Sequence, residues 1–347
     1  MRFFTDRHQH YCGIDLHARS MYACVQNAEG KILLHRNMPA APEPFLKAIE
    51  PFRENVVVGV ECIFTWYWLS DFCAEHDIPF ILGHALYMKA IHGGKAKNDR
   101  IDSRKIAALM RGGTFPMAYV YPAKMRATRD LLRRRNHLTR RRAELLTHIQ
   151  QTNSQYNMEP FGAKITHKAN RGGIAEQFTD PEVRMSMEAN LEMIDHLDKL
   201  KTKLELHIVR NAKNHDPQTL YRLRTIKGIG QILSLVILYE IGDINRFDRV
   251  QDFASYARLV KCARESAGKR HGTSGGKIGN AHLKWAFSEA AVFFLRGNPE
   301  GMKFRKRLEK KHGKAKSLSI LAHKLGRAVY YILKRDQAFD MQKFLKT

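Results

Sequence analysis

Cysteine is scarce in this 347-residue chain, and the five present (Cys12, Cys24, Cys62, Cys73 and Cys262) form no C-x-x-C pair. An odd, scattered set excludes a disulfide scaffold and a zinc ribbon and fits a reducing cytoplasm. Long apolar runs are also absent: none reaches the roughly 18 residues that a membrane span needs. Residues 1–10 (MRFFTDRHQH) have no apolar signal core, so secretion is not expected. The Gly-, Ser- and Lys-rich stretch at 261–280 lacks GxxxxGK[ST], because Ile278 follows Lys277, and a nucleotide-binding loop is excluded. Acidic residues are few, 34 against 59 Lys and Arg, which leaves a formal charge of +25 and a pI near 10. Hydrophobic residues are an ordinary 44%, enough for real cores, and the length fits two or three domains.

The basic excess is uneven. Residues 1–112 hold 14 basic and 12 acidic side chains, whereas the rest of the chain carries a net charge of +23. A polyanion is the natural partner of that second part, because neutralising phosphates releases condensed counterions. Nine basic residues crowd into 124–142, among them Arg133, Arg134, Arg135, Arg140, Arg141 and Arg142, against a single acid, Asp130. On a helix they make a surface able to track phosphates; a merely solvated face is the alternative.

Hydrophobic patterning divides the chain into three parts. Residues 10–37 read as three short strands, and NVVVGVE (55–61) is too apolar and β-branched to be anything but a buried strand. Helices are expected at 43–53, 64–76 and 99–112, with a strand at 79–83, which together make an α/β layout with a mixed sheet. Within the 64–76 segment, Trp66, Tyr67 and Trp68 read as helix core rather than a base-stacking platform. The neighbouring Cys62 reads as a buried small side chain. Residues 124–156 switch period, with Leu131, Leu138 and Leu145 seven apart, and a second amphipathic helix runs over 183–212. The polar stretch 157–180 between them reads as a loop. The result is a helical hairpin, either a coiled coil suited to dimerisation or a spacer that packs on itself. From 219 onward the chain reads as a mainly α domain, with helices in 225–242, 281–295 and 317–335 and a loop at 261–280.

Four carboxylates in the nearly neutral part are oddly placed. Asp15 lies inside the apolar strand GIDLH, and Glu61 ends the most apolar strand of the chain. Asp99 and Asp102, in KNDRIDSRK, are three apart at a helix start and share one face. Singly, each has an ordinary explanation: a helix cap, a first-turn dipole partner or a strand-end residue. Together they form a repulsive cluster unless a cation compensates, and hard divalent ions take carboxylate oxygens. A pair of such ions stabilises both the attacking and the leaving oxygen at a phosphodiester. In the basic part, the Gly228–Ile229–Gly230 turn precedes a helix, where backbone N–H groups can meet a phosphate or simply close a tight turn.

The order GIDLH, VGVE, KNDRIDSRKIA resembles the acidic domain of DEDD insertion-sequence transposases, the insertion-sequence family numbered one hundred and ten. GIGQILSLVILYEIGDINRFDRVQDFASYARLV (228–260) and ESAGKRHGTSGGKIGNAHLKWA (265–286) resemble the C-terminal domain of the same family. The resemblance implies an acidic domain of ribonuclease-H-like (RuvC-type) fold at 1–122. A helical or coiled-coil middle follows at 123–215, and a mainly α transposase domain at 216–347. It implies Asp15, Glu61, Asp99 and Asp102 as ligands of Mg²⁺ or Mn²⁺, and Ser266 as the nucleophile that forms a covalent phosphoserine link to DNA. Lys269, Arg270 and Lys277 would then help to hold phosphate. Further implied are a non-coding guide RNA, a homodimer or homotetramer, and a nucleoid-associated location in a prokaryotic cytoplasm. The chain departs from the family at Arg258, where glycine is common, at Lys261, where proline is common, and at Glu265, where a second serine is common. Ser274 is a rival nucleophile. Two other hypotheses stand beside the recombinase: a resolvase-like nuclease that uses water, and an inactive nucleic-acid-binding protein.

Overall fold

A computed structural model describes residues 2–91, 98–212, 216–274 and 278–346. The chain divides into two compact units, Met1–Ala123 and Lys124–Thr347.

In the first unit the strands are β1 (Phe3–Phe4), β2 (His10–Leu16), β3 (Ser20–Asn27), β4 (Ile32–Pro39), β5 (Val56–Glu61), β6 (Phe80–Gly83) and β7 (Phe115–Pro116). The helices are α1 (Pro42–Ile49), α2 (Tyr67–Glu75), α3 (Ala85–Ile91) and α4 (Asp99–Arg111). Five strands form one sheet in the order β4-β3-β2-β5-β6. The first three pair antiparallel, whereas β5 is parallel to β2 and β6 is parallel to β5. The unit is therefore the expected mixed α/β layout. The short β1–β7 pair and α3 were not expected from the sequence, and segments so short carry little pattern.

Alternation along the two central strands decides which face each side chain meets. Cys12, Ile14, Leu16, Val56, Val58 and Val60 pack in one core with Phe45 and Ile49 of α1 and Leu69 and Cys73 of α2. Tyr11 and Val57 point the other way, into a second core with Ile106, Leu109 and Met110 of α4. Gly13 and Gly59 are direct register partners on that second face. A Cβ at Gly13 would overlap the backbone of Ser103 and Ala107, and one at Gly59 would overlap the Met110 thioether. The paired glycines therefore let α4 lie directly on the sheet. Gly13→Ala is expected to destabilise the first unit by roughly 3 kcal/mol, because a helix backbone cannot step aside as a side-chain tip can. Chemical denaturation of the variant checks this; Gly59→Ala, opposed by a flexible Met, is the milder change.

The second unit holds two long helices, α5 (Ala123–Gln155) and α6 (Pro181–Ala212), followed by α7 (Pro217–Arg224), α8 (Gln231–Ile241) and α9 (Val250–Tyr256). A hairpin, β8 (Cys262–Ser266) and β9 (Lys269–Ser274), comes next, then α10 (Ala281–Leu295), α11 (Pro299–His312), α12 (Lys314–Arg335) and α13 (Met341–Leu345). One core joins α8, α10 and α12 around Tyr239, Phe253, Phe287, Phe294 and Leu325. The segment 157–180 is less of a loop than its polarity implies. Ile165, Ile174, Ala175 and Phe178 are buried against Leu146 and Ile149 of α5 and Met187 and Ile194 of α6. Likewise 261–280, expected as a loop, contains the antiparallel β8–β9 pair. No described helix is long and apolar enough to cross a membrane.

Candidate active site

Asp15 is two residues beyond Gly13, and Glu61 two beyond Gly59, so alternation puts both on the face that α4 covers. Both lie at the carboxyl ends of parallel neighbours, where open α/β sheets gather their functional groups. Asn98 caps α4, its Oδ1 accepting from the Ile101 N–H at 2.8 Å, and this sets Asp99 and Asp102 in the first turn. That turn lies next to Ser103, whose backbone sits over Gly13. The close packing that the glycines permit thus brings the helix acids to the strand acids.

The electrostatics carry the mark of that convergence. Burial pushes the Asp15 carboxyl above its ordinary range; His17 pulls it down, and the charges of Asp99, Asp102 and Glu61 each push it up. His17 Nε2 lies 3.3 Å from Asp99 Oδ2 and 3.7 Å from Asp15 Oδ2. The Asp102 carboxylate has Lys105 Nζ 3.6 Å away. Ligand atoms of Asp15, His17 and Asp99 all lie within 4.8 Å of one another, while Glu61 and Asp102 stand outside that triad. A desolvated carboxylate surrounded by like charges is what a divalent cation relieves, so the donor set fits a hard metal ion. Sequence reasoning missed His17, because a single histidine at a strand end carries no spacing signal.

Around this site, Trp66 is buried and Tyr67 and Trp68 are partly buried in the core, as expected. Cys62 is exposed rather than buried. Strand β5 ends at Glu61, so Cys62 has already left the sheet interior. Phe64, 86% exposed, puts a bare aromatic ring three residues past Glu61.

In the second unit Ser266 ends β8 and is exposed, as is Lys269, its direct partner across the hairpin. Ala267 (φ 49°) and Gly268 (φ 73°) form the two-residue turn, both in the left-handed region that such hairpins require. Partners across a strand pair project to the same side, so the Ser266 hydroxyl and the Lys269 ammonium share one face. The side chains of Arg270 and Ser274, and all of Lys277 and Lys97, lie outside the described residues.

Where the hairpin returns to the domain, Arg258 Nε donates to Ile278 O at 2.9 Å and Asn280 N donates to Tyr256 O at 2.5 Å. Arg258 has φ 54°, a conformation that only glycine adopts freely, which accounts physically for the glycine common at this position. The guanidinium hydrogen bond to Ile278 is what the arginine adds there. Gly228 also has positive φ, and a Cβ on it would overlap the backbone of Phe293 and Phe294. Close helix packing therefore explains that glycine. Gly230 has open space around it and stands at the N-cap of α8.

The arginine cluster on α5 divides in two. Arg133 Nε donates to the buried Glu240 carboxylate at 2.7 Å, and Arg129 Nε donates to its other oxygen at 3.1 Å. Arg135 pairs with Glu205 and Arg142 with Asp198, both on α6. Arg134, Arg140 and Arg141 are exposed, and Arg141 holds Glu144 at 2.9 Å. Part of the run expected to face phosphate therefore ties α5 to α6 and α8.

The chain matches two family models. One, described as a transposase and specific to the DEDD group of IS110 elements, covers residues 12–158. The other, described as "Transposase IS116/IS110/IS902 family", covers residues 220–306. Together these matches take in more than half of the chain, the first spanning all four acids and the second spanning Ser266. The transposase for insertion sequence element IS1111A of Coxiella burnetii (strain RSA 493 / Nine Mile phase I) is similar too, at 23% identity over 336 residues. That alignment covers 94% of this chain and 90% of the relative. The protein belongs to the IS110 family of DEDD transposases and is a DNA-transposing enzyme.

Proposed function

We propose that the protein cuts and rejoins DNA through a divalent-metal carboxylate site and a serine nucleophile, and that the first unit is a ribonuclease-H-like domain. The observation that carries this is the convergence of Asp15, Glu61, Asp99 and Asp102 on one face of the sheet, in a member of a DNA-transposing family. Asp15, Asp99, Glu61 and Asp102 would hold Mg²⁺, or Mn²⁺ in its place. Such ions, when bound, stabilise negative charge on phosphodiester oxygens.

The chain's own groups account for the rest. Ser266 Oγ attacks phosphorus, one bridging P–O bond of the strand breaks, and a protein–DNA phosphodiester replaces it. The serine proton leaves, and the departing sugar oxygen gains one. Lys269, on the same face of the hairpin, holds a non-bridging phosphate oxygen, as would Arg270 and Lys277. A hydroxyl is a weak nucleophile without such assistance. Arg134, Arg140 and Arg141 contact the nucleic-acid backbone from the exposed side of α5. Gly230 offers its neighbouring backbone N–H groups at the start of α8, with Gly228 shaping the turn. A structured non-coding RNA supplies sequence choice by base pairing, and the protein reads its backbone and shape. Two copies or four act together, with exposed Met185, Met193 and Leu206 of α6 available for self-association.

A covalent-adduct trap tests this function. Protein co-expressed with its flanking non-coding sequence is incubated with labelled element-end DNA and Mg²⁺, then run on denaturing gels with and without protease. The expected result is a protease-sensitive shifted band that Ser266→Ala abolishes and Ser274→Ala retains. Cleavage without any adduct would assign the nucleophile to water instead.

A further inference from the structure

His17 follows the last residue of β2, and its backbone N–H donates to Ser20 O at 2.9 Å, closing the turn into β3. The turn fixes where the side chain starts, and the ring edge then reaches toward two of the four acids. Its Nε2 stands 3.3 Å from Asp99 Oδ2 and 3.7 Å from Asp15 Oδ2. An octahedral ion with bonds of about 2.1 Å sets adjacent ligand atoms about 3.0 Å apart and opposite ones about 4.2 Å apart. Atoms that already lie within 4.8 Å of one another need only small side-chain shifts to meet that spacing. The side chain is 48% exposed, so no core packing dictates its direction, and rotamer freedom remains for the adjustment.

We propose that His17 supplies an imidazole nitrogen to the divalent ion held by Asp15 and Asp99, making this position a mixed nitrogen–oxygen site rather than an all-carboxylate one. The inference rests on the metal reading given under Proposed function. Its chemical consequence is selectivity. Mg²⁺ prefers oxygen ligands, whereas imidazole suits transition metals such as Fe²⁺, Ni²⁺ and Zn²⁺, so His17 weakens the preference for Mg²⁺ relative to a set of carboxylates alone. The competing role for His17 is that of a counter-charge that eases carboxylate repulsion without binding metal.

Electron spin echo spectroscopy on untagged, full-length protein loaded with Mn²⁺ separates the two, because a coordinated imidazole nitrogen modulates the echo. The expected result is nitrogen modulation in the wild type, its loss in His17→Ala, and about tenfold weaker Mn²⁺ binding in that variant. Mn²⁺ that binds in an Asp15-dependent way without nitrogen modulation, or with modulation that survives His17→Ala, overturns the inference and leaves the carboxylate site standing. Mn²⁺ affinity unchanged by Asp15→Asn overturns the metal reading itself, and the inference with it. A wild-type spectrum without nitrogen modulation overturns the inference whatever the folding of the variant.

Discussion

Asp15→Asn is expected to abolish DNA cleavage while leaving the first unit folded and more stable than the wild type. The side chain changes by one atom type and keeps its shape, so the contacts of β2 with β3 and β5 survive. What disappears is a charge that burial and three neighbouring carboxylates oppose. Catalytic sites hold like charges together at the expense of stability, and neutralising one reverses that trade. The loss of rate is expected to be on the order of a thousandfold, the scale on which removal of one transition-state electrostatic partner is felt. Strand cleavage and thermal unfolding, measured on the same preparation, check both halves; a variant that cleaves DNA normally sinks the assignment of Asp15.

The same residue sets a pH signature. A carboxyl whose pKa is higher in the folded than in the unfolded state destabilises the fold above that pKa. The penalty is relieved as pH falls through the raised value toward the ordinary 3.8. Stability of the first unit should therefore carry a component that improves on acidification across this window, and Asp15→Asn should flatten it. Glu240, Asp195 and Asp198 in the second unit behave oppositely. Their arginine and lysine partners hold them below the ordinary carboxylate range. The stability they contribute is complete above the unfolded-state value and is lost as pH falls through the depressed one.

Glu240→Ala is expected to destabilise the second unit strongly, at about 3 kcal/mol. The carboxylate is 2% exposed and accepts from Arg129, Arg133 and Asn280, so it joins α5, α8 and the start of α10. Its removal takes from Arg129, whose side chain is only 10% exposed, the carboxylate to which its Nε donates. The estimate stays at the low end for a broken buried pair because Arg133 keeps 35% of its side chain accessible to water. The Asn280 Nδ2 amide would also lose its acceptor, while the Asn280 Oδ1 caps α10 by accepting from the His282 and Leu283 N–H groups. Denaturant unfolding checks the magnitude against Glu144→Ala, which breaks the exposed Arg141–Glu144 pair and should cost less than about 0.5 kcal/mol. Equal effects of the two changes would contradict the buried-cluster account.

How much of this was legible in the chain differs by site. The acids stood out because two are carboxylates in runs that otherwise alternate apolar residues, and two share a helix face at a spacing of three. The cores of β2, β5, α2 and α4 were readable for the same reason: short-range periodicity reports which side is buried. The β8–β9 hairpin was not readable, because KRHGTS has neither β-branched density nor a hydrophobic face, and its turn depends on Ala267 taking a positive φ. The fate of the arginines was hidden more deeply. Arg133, Arg135 and Arg142 look identical to Arg134, Arg140 and Arg141 in the sequence, yet their carboxylates lie 107, 70 and 56 residues away.

The sequence by itself determined the split between a neutral α/β part and a basic helical part and marked the placement of the four acids, and its motif order carried the family resemblance that points to the class and to the serine segment. All of these signals are local in character. Tertiary structure alone decided that Gly13 and Gly59 bring α4 onto the sheet and that His17 joins Asp15 and Asp99. It also decided which arginines are spent on internal carboxylates. Those outcomes depend on which distant surfaces meet, and no residue's own pattern encodes the identity of the group that will face it.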